Sequence, residues 1–176
     1  MEVLNDILGY KNRKIFQDND CFSFSLDSIM LANFATIRLR DKNIVDLGCG
    51  NGVIPLILSL RTDKKIIGVE IQEKIANMAK RSIDINNLSE QIEIINMNMK
   101  EFSDSNYFES FDLVTCNPPY FKVNEKNFFN DTATTEIYTA YNTLSLHDAL
   151  PIWRMGCYLI AAQVVYVVFL KKIFVV

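Results

Sequence analysis

The stretch Ile44-Val-Asp-Leu-Gly-Cys-Gly-Asn-Gly52 decides the fold of this 176-residue chain. It starts as an apolar strand pattern that contains one carboxylate, Asp46, and it ends with three glycines at alternate positions. Glycines at this spacing allow a tight turn from a strand into a helix, and they let a ligand come close to the backbone. The run Val53 to Leu60 follows, with Pro55 in its first turn, where a missing N–H costs little. The stretch therefore predicts a strand, a ligand-binding loop and a helix in succession.

A second apolar run, Lys65 to Glu70, ends in a carboxylate. An acid at the tip of the second strand can bind the two hydroxyls of a ribose. A fold that binds a dinucleotide for hydride transfer would instead show G-x-G-x-x-G and hold a pyrophosphate at the helix N-terminus. Here Asp46 lies beside the loop, where its carboxylate would repel a pyrophosphate. The pattern favours a ligand with a ribose and a positive charge, such as a sulfonium and an amino group.

A second candidate site, Asn117-Pro-Pro-Tyr120, follows the apolar run Phe111 to Cys116. The two prolines fix two φ angles and remove two backbone donors, so the segment is stiff and its carbonyls stay available. The Asn amide oxygen and a nearby carbonyl can then accept both hydrogens of one planar NH2 group. The tyrosine ring offers a face on which a flat substrate can stack. The segment predicts the binding of a flat amine for methyl transfer.

Together the glycine-rich loop, Glu70 and the Asn-Pro-Pro-Tyr segment resemble the class I S-adenosylmethionine-dependent methyltransferases. The stretch Phe22 to Phe34 narrows the resemblance to the tRNA1(Val) adenine-37 N6-methyltransferase family, over about residues 4–127. The resemblance implies S-adenosyl-L-methionine as the cofactor and the anticodon loop of a tRNA as the partner. It assigns the cofactor to Asp46, Gly48, Gly50 and Glu70, and the target adenine to the catalytic residues Asn117, Pro118, Pro119 and Tyr120.

One position departs from the family pattern. Many relatives carry an aspartate after the third strand that contacts the cofactor adenine, and this chain has Asn98 there. An amide can still accept or donate a hydrogen bond at the adenine edge. The resemblance therefore assigns Asn98 to cofactor binding, and we expect weaker selectivity for the adenine rather than its loss.

Two other functions compete with tRNA methylation. Protein glutamine N5-methyltransferases of release factors use the same Asn-Pro-Pro-Tyr segment on a side-chain amide, but they usually carry a helical domain before the first strand. Only 43 residues precede Ile44 here, which disfavours that reading. The other possibility is no enzyme at all, only an inactive cofactor-binding fragment, because complete members of the fold continue with three more strands.

Strands and helices alternate along the chain, which predicts an α/β, Rossmann-like sheet of parallel strands, truncated after the fourth strand. A short hairpin is expected at Lys14–Gln17 and Cys21–Phe24, where Phe22 and Phe24 are core residues or line a pocket. The helix from Asp27 to Phe34 is expected to be capped by Ser25 or by Asp27 itself. The remaining predicted elements are strands at 44–47, 65–70, 92–96 and 111–116, and helices at 53–60 and 73–86.

The C-terminal part of the chain reads differently. Residues 130–152 resemble the conceptual translation of a sequencing-library adapter, and residues 153–176 would be the frame read beyond that junction. We therefore divide the chain into 1–129, the N-terminal part of a methyltransferase domain, and 130–176, an artefactual tail. The adjacent Ser145, His147 and Asp148 lie in the tail and form no predicted triad. The apolar run Tyr158 to Leu170 is shorter than the ~20 residues that span a bilayer.

Composition and charge indicate the cellular compartment and the kinds of partner that we expect. The net charge is −3, and the four cysteines show no metal-ligand spacing, so we expect reduced thiols, no metal and a cytoplasmic protein. No secretory leader is recognisable at the start. We expect a monomer without membrane contact. A tRNA-binding face should be basic. The candidate residues for such a face are Lys11, Arg13, Lys14, Arg38, Arg40 and Lys42. Ordinary solvated surface explains them equally well.

Overall fold

The computed structural model describes residues 1–7, 9–10, 13–18, 26–103, 110–117, 153–163 and 166–167, the last two ranges by their backbone alone. In these ranges the chain forms strands and helices in alternation after an N-terminal hairpin. Their order is β1 (Glu2–Asp6), β2 (Lys14–Asp18), α1 (Leu26–Phe34), β3 (Asn43–Leu47), α2 (Val53–Leu58), β4 (Lys65–Glu70), α3 (Glu73–Ile85), β5 (Ile92–Asn96), α4 (Met99–Ser103), β6 (Phe111–Cys116), β7 (Trp153–Gln163) and β8 (Tyr166–Val167).

The central sheet confirms the predicted fold class. Strands β3 to β6 are parallel and lie in the order β5-β4-β3-β6. Three of the four have the predicted bounds, and β3 begins one residue earlier, at Asn43. The predicted helices at 53–60 and 73–86 are present as α2 and α3, each slightly shorter. In this part of the chain, apolar periodicity and the residues at strand ends were sufficient to predict the strands and helices.

The sheet continues beyond β6. Strand β7 pairs with β6 in parallel, with a register shift between Phe111 and Leu113, and β8 pairs with β7 in antiparallel. Only four strands were predicted for the parallel sheet, so this pairing is an addition to it. Both strands belong to the segment that the sequence assigned to a separate tail. The domain boundary at residue 129 stays a prediction.

Both faces of the sheet are covered, as parallel strands require. Ile44, Ile66 and Leu113 point to one face, where they pack against residues of α1, α2 and α3. Val45 and its neighbours point to the other face, where Phe102 of α4 packs against them. The ring of Phe102 is stacked on that of Phe111 at a centroid distance of 5.9 Å. The edge of the sheet is left to position functional side chains.

The N-terminal hairpin differs from the prediction. Strand β2 forms, but its partner is β1, with Glu2 opposite Asp18 and Asp6 opposite Lys14. The partner predicted at residues 21–24 lies outside the described residues. All but one of the side chains of β1 are exposed, so the strand shows little apolar alternation, and this is why the sequence did not reveal it.

The outer edge of β2 is bonded to side chains of α3 and of the glycine-rich loop. The Asn86 amide donates to the Lys14 carbonyl at 2.6 Å and accepts from the Lys14 N–H at 3.0 Å. The Phe16 N–H donates to Ser82 Oγ at 3.0 Å, and Asn51 Nδ2 donates to the Phe16 carbonyl at 3.1 Å. Because its backbone groups are satisfied in this way, β2 lies along α3 and contacts the loop.

Helices α1 and α4 differ from the prediction. Helix α1 begins at Leu26, so Asp27 lies inside its first turn rather than capping it, and Ser25 lies outside the described residues. Helix α4 was not predicted, because five residues are too few to show a helical period.

Candidate active site

The predicted site residues on β3, β4 and β6 lie at the carboxyl edge of the parallel sheet. Asp46 is the penultimate residue of β3, Glu70 ends β4, and Asn117 directly follows β6. Leu47 pairs with the residue before Glu70 and with the residue before Asn117, so the three strands end level. Neighbouring strands are about 4.8 Å apart. The structure therefore brings Asp46, Glu70 and Asn117 into one region, where ligands of open α/β sheets bind.

The glycine-rich loop has the backbone that its sequence predicted. Gly48, Gly50 and Gly52 have φ angles of 67°, 56° and 91°, in the left-handed region that other residues rarely adopt. The carbonyl of Gly52 accepts from the Leu56 N–H at 3.0 Å and so starts α2. A Cβ added at Gly50 would meet no atom within 4 Å, so the loop has open space on that side. The predicted succession of strand, loop and helix is confirmed.

The Glu70 carboxylate holds the loop in place. Its Oε2 accepts from the Gly50 N–H at 3.0 Å, and its Oε1 accepts from the Gln72 N–H at 2.9 Å. The residue is buried, at 2% exposure. A carboxylate oxygen can accept more than one hydrogen bond, so the bonds to Gly50 and Gln72 are compatible with a ligand hydroxyl at the same carboxylate.

Asp46 is fully buried and its two oxygens differ. Thr115 Oγ1 donates to Oδ1 at 2.7 Å, whereas Oδ2 has no hydrogen-bond partner. Burial raises the pKa of Asp46 to about 7; the Thr115 hydrogen bond opposes this rise, and the negative charge of Glu70 adds to it. A buried carboxylate oxygen without a donor is costly, so Oδ2 marks where a ligand cation or donor would be stabilised.

Gly68 was not recognised from the sequence as a site residue. A Cβ there would lie 2.7 Å from Ile94 Cδ1 and 2.8 Å from Cys49 Sγ. Only glycine lets Cys49 fold over β4, where its N–H donates to the Val69 carbonyl at 3.0 Å. The signal was a glycine inside an apolar strand, which indicates close approach of another segment.

The two cysteines at the site are inert thiols. Burial raises the pKa of the Cys49 thiol well above its ordinary value, and the carboxylates Glu70 and Asp46 add to the rise. Burial and then Asp46 raise the pKa of Cys116 to about 12. Both thiols stay protonated near neutral pH, so neither is a nucleophile.

Asn98 acts as the cap of α4. Its Oδ1 accepts from the Lys100 N–H at 2.9 Å, and its carbonyl accepts from the Phe102 N–H at 2.9 Å. The neighbouring Asn96 donates through Nδ2 to the carbonyls of Glu70, at 2.8 Å, and Ile71, at 3.0 Å. The side chain of Asn98 is thereby held at the start of α4, near the end of β5.

Asn117 contacts a residue that the sequence analysis gave no role. Its Nδ2 donates to Ser28 Oγ in the first turns of α1 at 2.7 Å, and Ser28 is 7% exposed. The other predicted members of the substrate site, Pro118, Pro119 and Tyr120, lie outside the described residues, as do Phe22 and Phe24.

The candidate basic residues that the structure describes do not surround this site. Lys14 is bonded to Asn86, just after the end of α3, and Lys42 immediately precedes β3, where its N–H donates to Asp112. Both therefore lie toward the amino ends of the strands, opposite Glu70. Arg38 and Arg40 precede β3 as well. Burial lowers the pKa of Arg13, whose Nη2 donates to Ser59 at 3.5 Å.

In the part of the chain that the structure describes, no helix is long and apolar enough to cross a membrane. Within the same ranges, no group of three or more His, Cys, Asp or Glu side chains could hold a metal ion.

The residues present fit S-adenosylmethionine. The cofactor carries a sulfonium and an amino group, and Asp46 Oδ2 is a buried carboxyl oxygen without a hydrogen-bond partner. The cofactor also carries a ribose, and Glu70 lies at the tip of the second parallel strand with both oxygens buried. The open side of Gly50 leaves room for a ligand to approach the backbone. The carboxyl edge of the sheet thus offers an acid for the positive groups of the cofactor, acceptors for its ribose hydroxyls and open space beside the loop.

This sheet, with its loop and two acids at the strand ends, has the architecture of the Rossmann-like, S-adenosylmethionine-dependent methyltransferases. TYW2 of Pyrococcus horikoshii, solved in complex with MeSAdo, is similar to it with a TM-score of 0.58 at 18% identity, covering 86% of this chain and 49% of that one. The chain belongs to the methyltransferase small domain family, whose model matches residues 17–151. S-adenosylmethionine is the cofactor of this class.

Curated relatives narrow the comparison. The tRNA1(Val) (adenine(37)-N6)-methyltransferase of Shewanella halifaxensis is 31% identical over 97 residues, which cover 55% of this chain and 39% of that protein. The protein of the same name from Haemophilus influenzae is 30% identical over 115 residues, covering 64% and 49%. The chain thus spans about half or less of the length of these relatives.

Proposed function

We propose that this chain contains the cofactor-binding and catalytic core of an S-adenosylmethionine-dependent N6-adenine methyltransferase that acts on tRNA, at adenine 37 of a tRNA1(Val)-like substrate. The observation that carries the proposal is the position of Asn117. It directly follows β6, beside the strand that carries Asp46, and it begins the Asn-Pro-Pro-Tyr segment. The names of the relatives at about 30% identity support the adenine of a tRNA as the substrate.

The cofactor would be held by Asp46, Gly48, Gly50 and Glu70. Glu70 would accept the ribose hydroxyls while keeping the N–H groups of Gly50 and Gln72. Asp46 would stabilise the positive end of the cofactor through Oδ2. Asn98 Oδ1 already accepts the Lys100 N–H, so its Nδ2 would contact the cofactor adenine, as a donor to a ring nitrogen.

Bound S-adenosylmethionine supplies an electrophilic methyl group on a sulfonium. The exocyclic N6 of adenine is a weak nucleophile, because its lone pair is delocalised into the ring. Asn117 Oδ1 and the Pro118 carbonyl would accept its two N–H groups and direct the lone pair out of the ring plane. The nitrogen can lose its extra proton after transfer, so no strong base is required. Positioning and electrostatics would then provide the rate enhancement.

Tyr120 would stack on the adenine. A base in an anticodon loop is single-stranded and can leave its neighbours, and an aromatic face stabilises the exposed base. Lys14 and Lys42 lie toward the amino ends of the strands, on the opposite side of the sheet from Asn117. Any contact that they make would be with another part of the tRNA.

The test is methyl transfer from labelled S-adenosylmethionine by the full chain. Three reactions run in parallel: a tRNA with adenine at position 37, the same tRNA with guanine there, and a release factor. Calorimetry with S-adenosylmethionine accompanies them. Label in the first tRNA alone supports the proposal, and label at a release-factor glutamine supports the competing enzyme instead. Cofactor binding without any transfer identifies the chain as an inactive cofactor-binding fragment, and the absence of cofactor binding overturns the cofactor assignment.

A further inference from the structure

The hydrogen bond between Asn117 and Ser28 links two segments that are 89 residues apart in sequence. Ser28 lies in the first turns of α1, and its side chain is almost fully buried. The distance from Asn117 Nδ2 to Ser28 Oγ is 2.7 Å, which is short for such a pair and indicates a well-formed bond. Neither the glycine-rich loop nor Glu70 takes part in this contact.

Both ends of this bond are on well-held elements. Helix α1 packs on the sheet through Leu31 and Ala32, which are 3% and 0% exposed. Its last carbonyls accept from the guanidinium of Arg61, at Ala32 and, at 3.2 Å, at Asn33. Strand β6 is hydrogen-bonded on one side to β3 and on the other to β7. The position of the Ser28 hydroxyl relative to Asn117 is therefore set by the fold.

We propose that Ser28 is a positioning residue, whose hydroxyl accepts the Asn117 amide N–H and so turns the amide oxygen away from α1, in the orientation that can accept an N–H of the substrate amine. The nitrogen and oxygen of an amide lie on opposite sides of one carbon, so fixing the nitrogen fixes the oxygen. A rotated amide would present donors to a substrate group that is itself a donor. The inference rests on the proposed function, because it concerns the orientation in which Asn117 acts.

Ser82 provides a matched control. It is also a buried serine on a helix, α3, and it also accepts one hydrogen bond, from the Phe16 N–H. It is remote from Asn117 in the fold, since it holds the N-terminal hairpin. Removing the Ser28 hydroxyl deletes the bond from Asn117, whereas removing the Ser82 hydroxyl deletes both the bond from Phe16 and the bond that Ser82 donates to the Met78 carbonyl. Only the Ser28 change would alter the amide that contacts the substrate.

The experiment measures kcat and KM for labelled methyl transfer to tRNA by the full chain and by Ser28→Ala, Ser28→Thr and Ser82→Ala. In Ser28→Ala we expect kcat to fall about five- to tenfold with the KM for S-adenosylmethionine unchanged, since one positioning hydrogen bond is lost. Ser28→Thr, which keeps the hydroxyl, recovers most of kcat. Ser82→Ala keeps the wild-type kcat for the folded fraction. Side-chain NMR gives an independent reading: in Ser28→Ala the Asn117 Nδ2 protons exchange faster with solvent.

A Ser28→Ala variant with the wild-type kcat overturns the positioning role and leaves the proposed function intact. An equal loss in Ser82→Ala, or a folded Ser28→Thr variant without recovery, does the same. A wild-type chain that binds S-adenosylmethionine and methylates no tRNA overturns the proposed function and this inference with it, so the two failures are distinguishable.

Discussion

The carboxyl ends of β3 and β4 each carry a buried acid, and the two acids are held in opposite ways. Glu70 accepts a backbone N–H on each oxygen, from Gly50 and from Gln72. Asp46 accepts one hydrogen bond from Thr115 and leaves its Oδ2 without a partner. Neighbouring strands of one sheet thus end in a satisfied carboxylate and in a half-satisfied one.

The resemblance assigned both acids to cofactor binding, but their different hydrogen bonding indicates two different roles. Glu70 keeps the loop in shape before any ligand arrives, and a ribose would add to a network that already exists. Asp46 is destabilised by its burial until a positive group approaches. The first acid is therefore an element of local stability. The second lowers stability and, under the proposed function, would provide affinity for the positive end of the cofactor.

The largest effect is expected from Asp46→Asn. The pKa of about 7 lies above the ordinary 3.8, so the folded chain holds a proton that the unfolded chain has lost. The contribution of Asp46 to the free energy of unfolding is fully present below its unfolded pKa, and it is lost as the pH rises toward 7. Removing the charge should raise the free energy of unfolding at pH 8 by up to about 4 kcal/mol, at about 1.4 kcal/mol for each pH unit, and by less at pH 5.

Urea denaturation at the two pH values measures this gain. Asp112→Asn is the control, because that acid lies on β6 and its Oδ2 accepts the Lys42 and Asn43 N–H groups. The control should show no gain. Equal behaviour of the two variants would mean that Asp46 is not strained, and the contrast with Glu70 would disappear.

The next effect concerns the end of β6. Asn117→Ala removes an acceptor that would act on the reacting amine, so turnover should fall by about 10²–10³, by analogy with the loss of one oxyanion-hole donor. Affinity for S-adenosylmethionine should stay within about twofold of the wild-type value, since neither acid is touched. Single-turnover kinetics and calorimetry measure the two quantities. Normal turnover in this variant would make the Asn-Pro-Pro-Tyr segment structural.

Glu70→Ala should have a smaller effect on the free energy of unfolding, but it should change both stability and cofactor binding. The Gly50 and Gln72 N–H groups lose their acceptor, so the free energy of unfolding should fall by about 2 kcal/mol. Binding of S-adenosylmethionine should be lost while the fold persists. Denaturation and calorimetry give both numbers. A variant with unchanged affinity would contradict the assignment of Glu70 to the cofactor.

The smallest effect is the pH dependence of cofactor affinity. A positive ligand favours the deprotonated Asp46, so affinity should be constant above pH 7 and fall about tenfold for each pH unit well below it. Calorimetry between pH 5.5 and 8.5 follows this slope. In Asp46→Asn the slope should flatten and the plateau affinity should be lower. An unchanged slope in that variant would assign the titration to another group.

The sequence predicted the parts of the site that depend on strand order. Asp46, Glu70 and Asn117 each follow or end an apolar run, and parallel strands bring their carboxyl ends to one edge. This inference needs only the order of the strands and does not require knowledge of long-range contacts. The same reasoning found the bounds of β4, β5 and β6.

Contacts across long stretches of chain were not predictable. Thr115 lies opposite Asp46 in the strand register, yet 69 residues separate them, and Ser28 is 89 residues from Asn117. Nothing in the local pattern distinguishes these hydroxyls from ordinary ones. The pairing of β2 with β1 was missed for a related reason, because β1 buries too little to show its period.

The attachment of β2 to α3 and to the glycine-rich loop has a consequence for local unfolding. The Lys14 and Phe16 N–H groups are bonded to Asn86 and Ser82 rather than to a strand, so release of the hairpin exposes them while the parallel sheet remains intact. Their amide hydrogens should exchange through a sub-global opening of lower free energy than that of Val45 or Val114. Since Asn51 donates to the Phe16 carbonyl from within the loop, a ligand that orders the loop should slow this exchange. The hairpin amides would then report occupancy of the carboxyl edge without contacting the ligand.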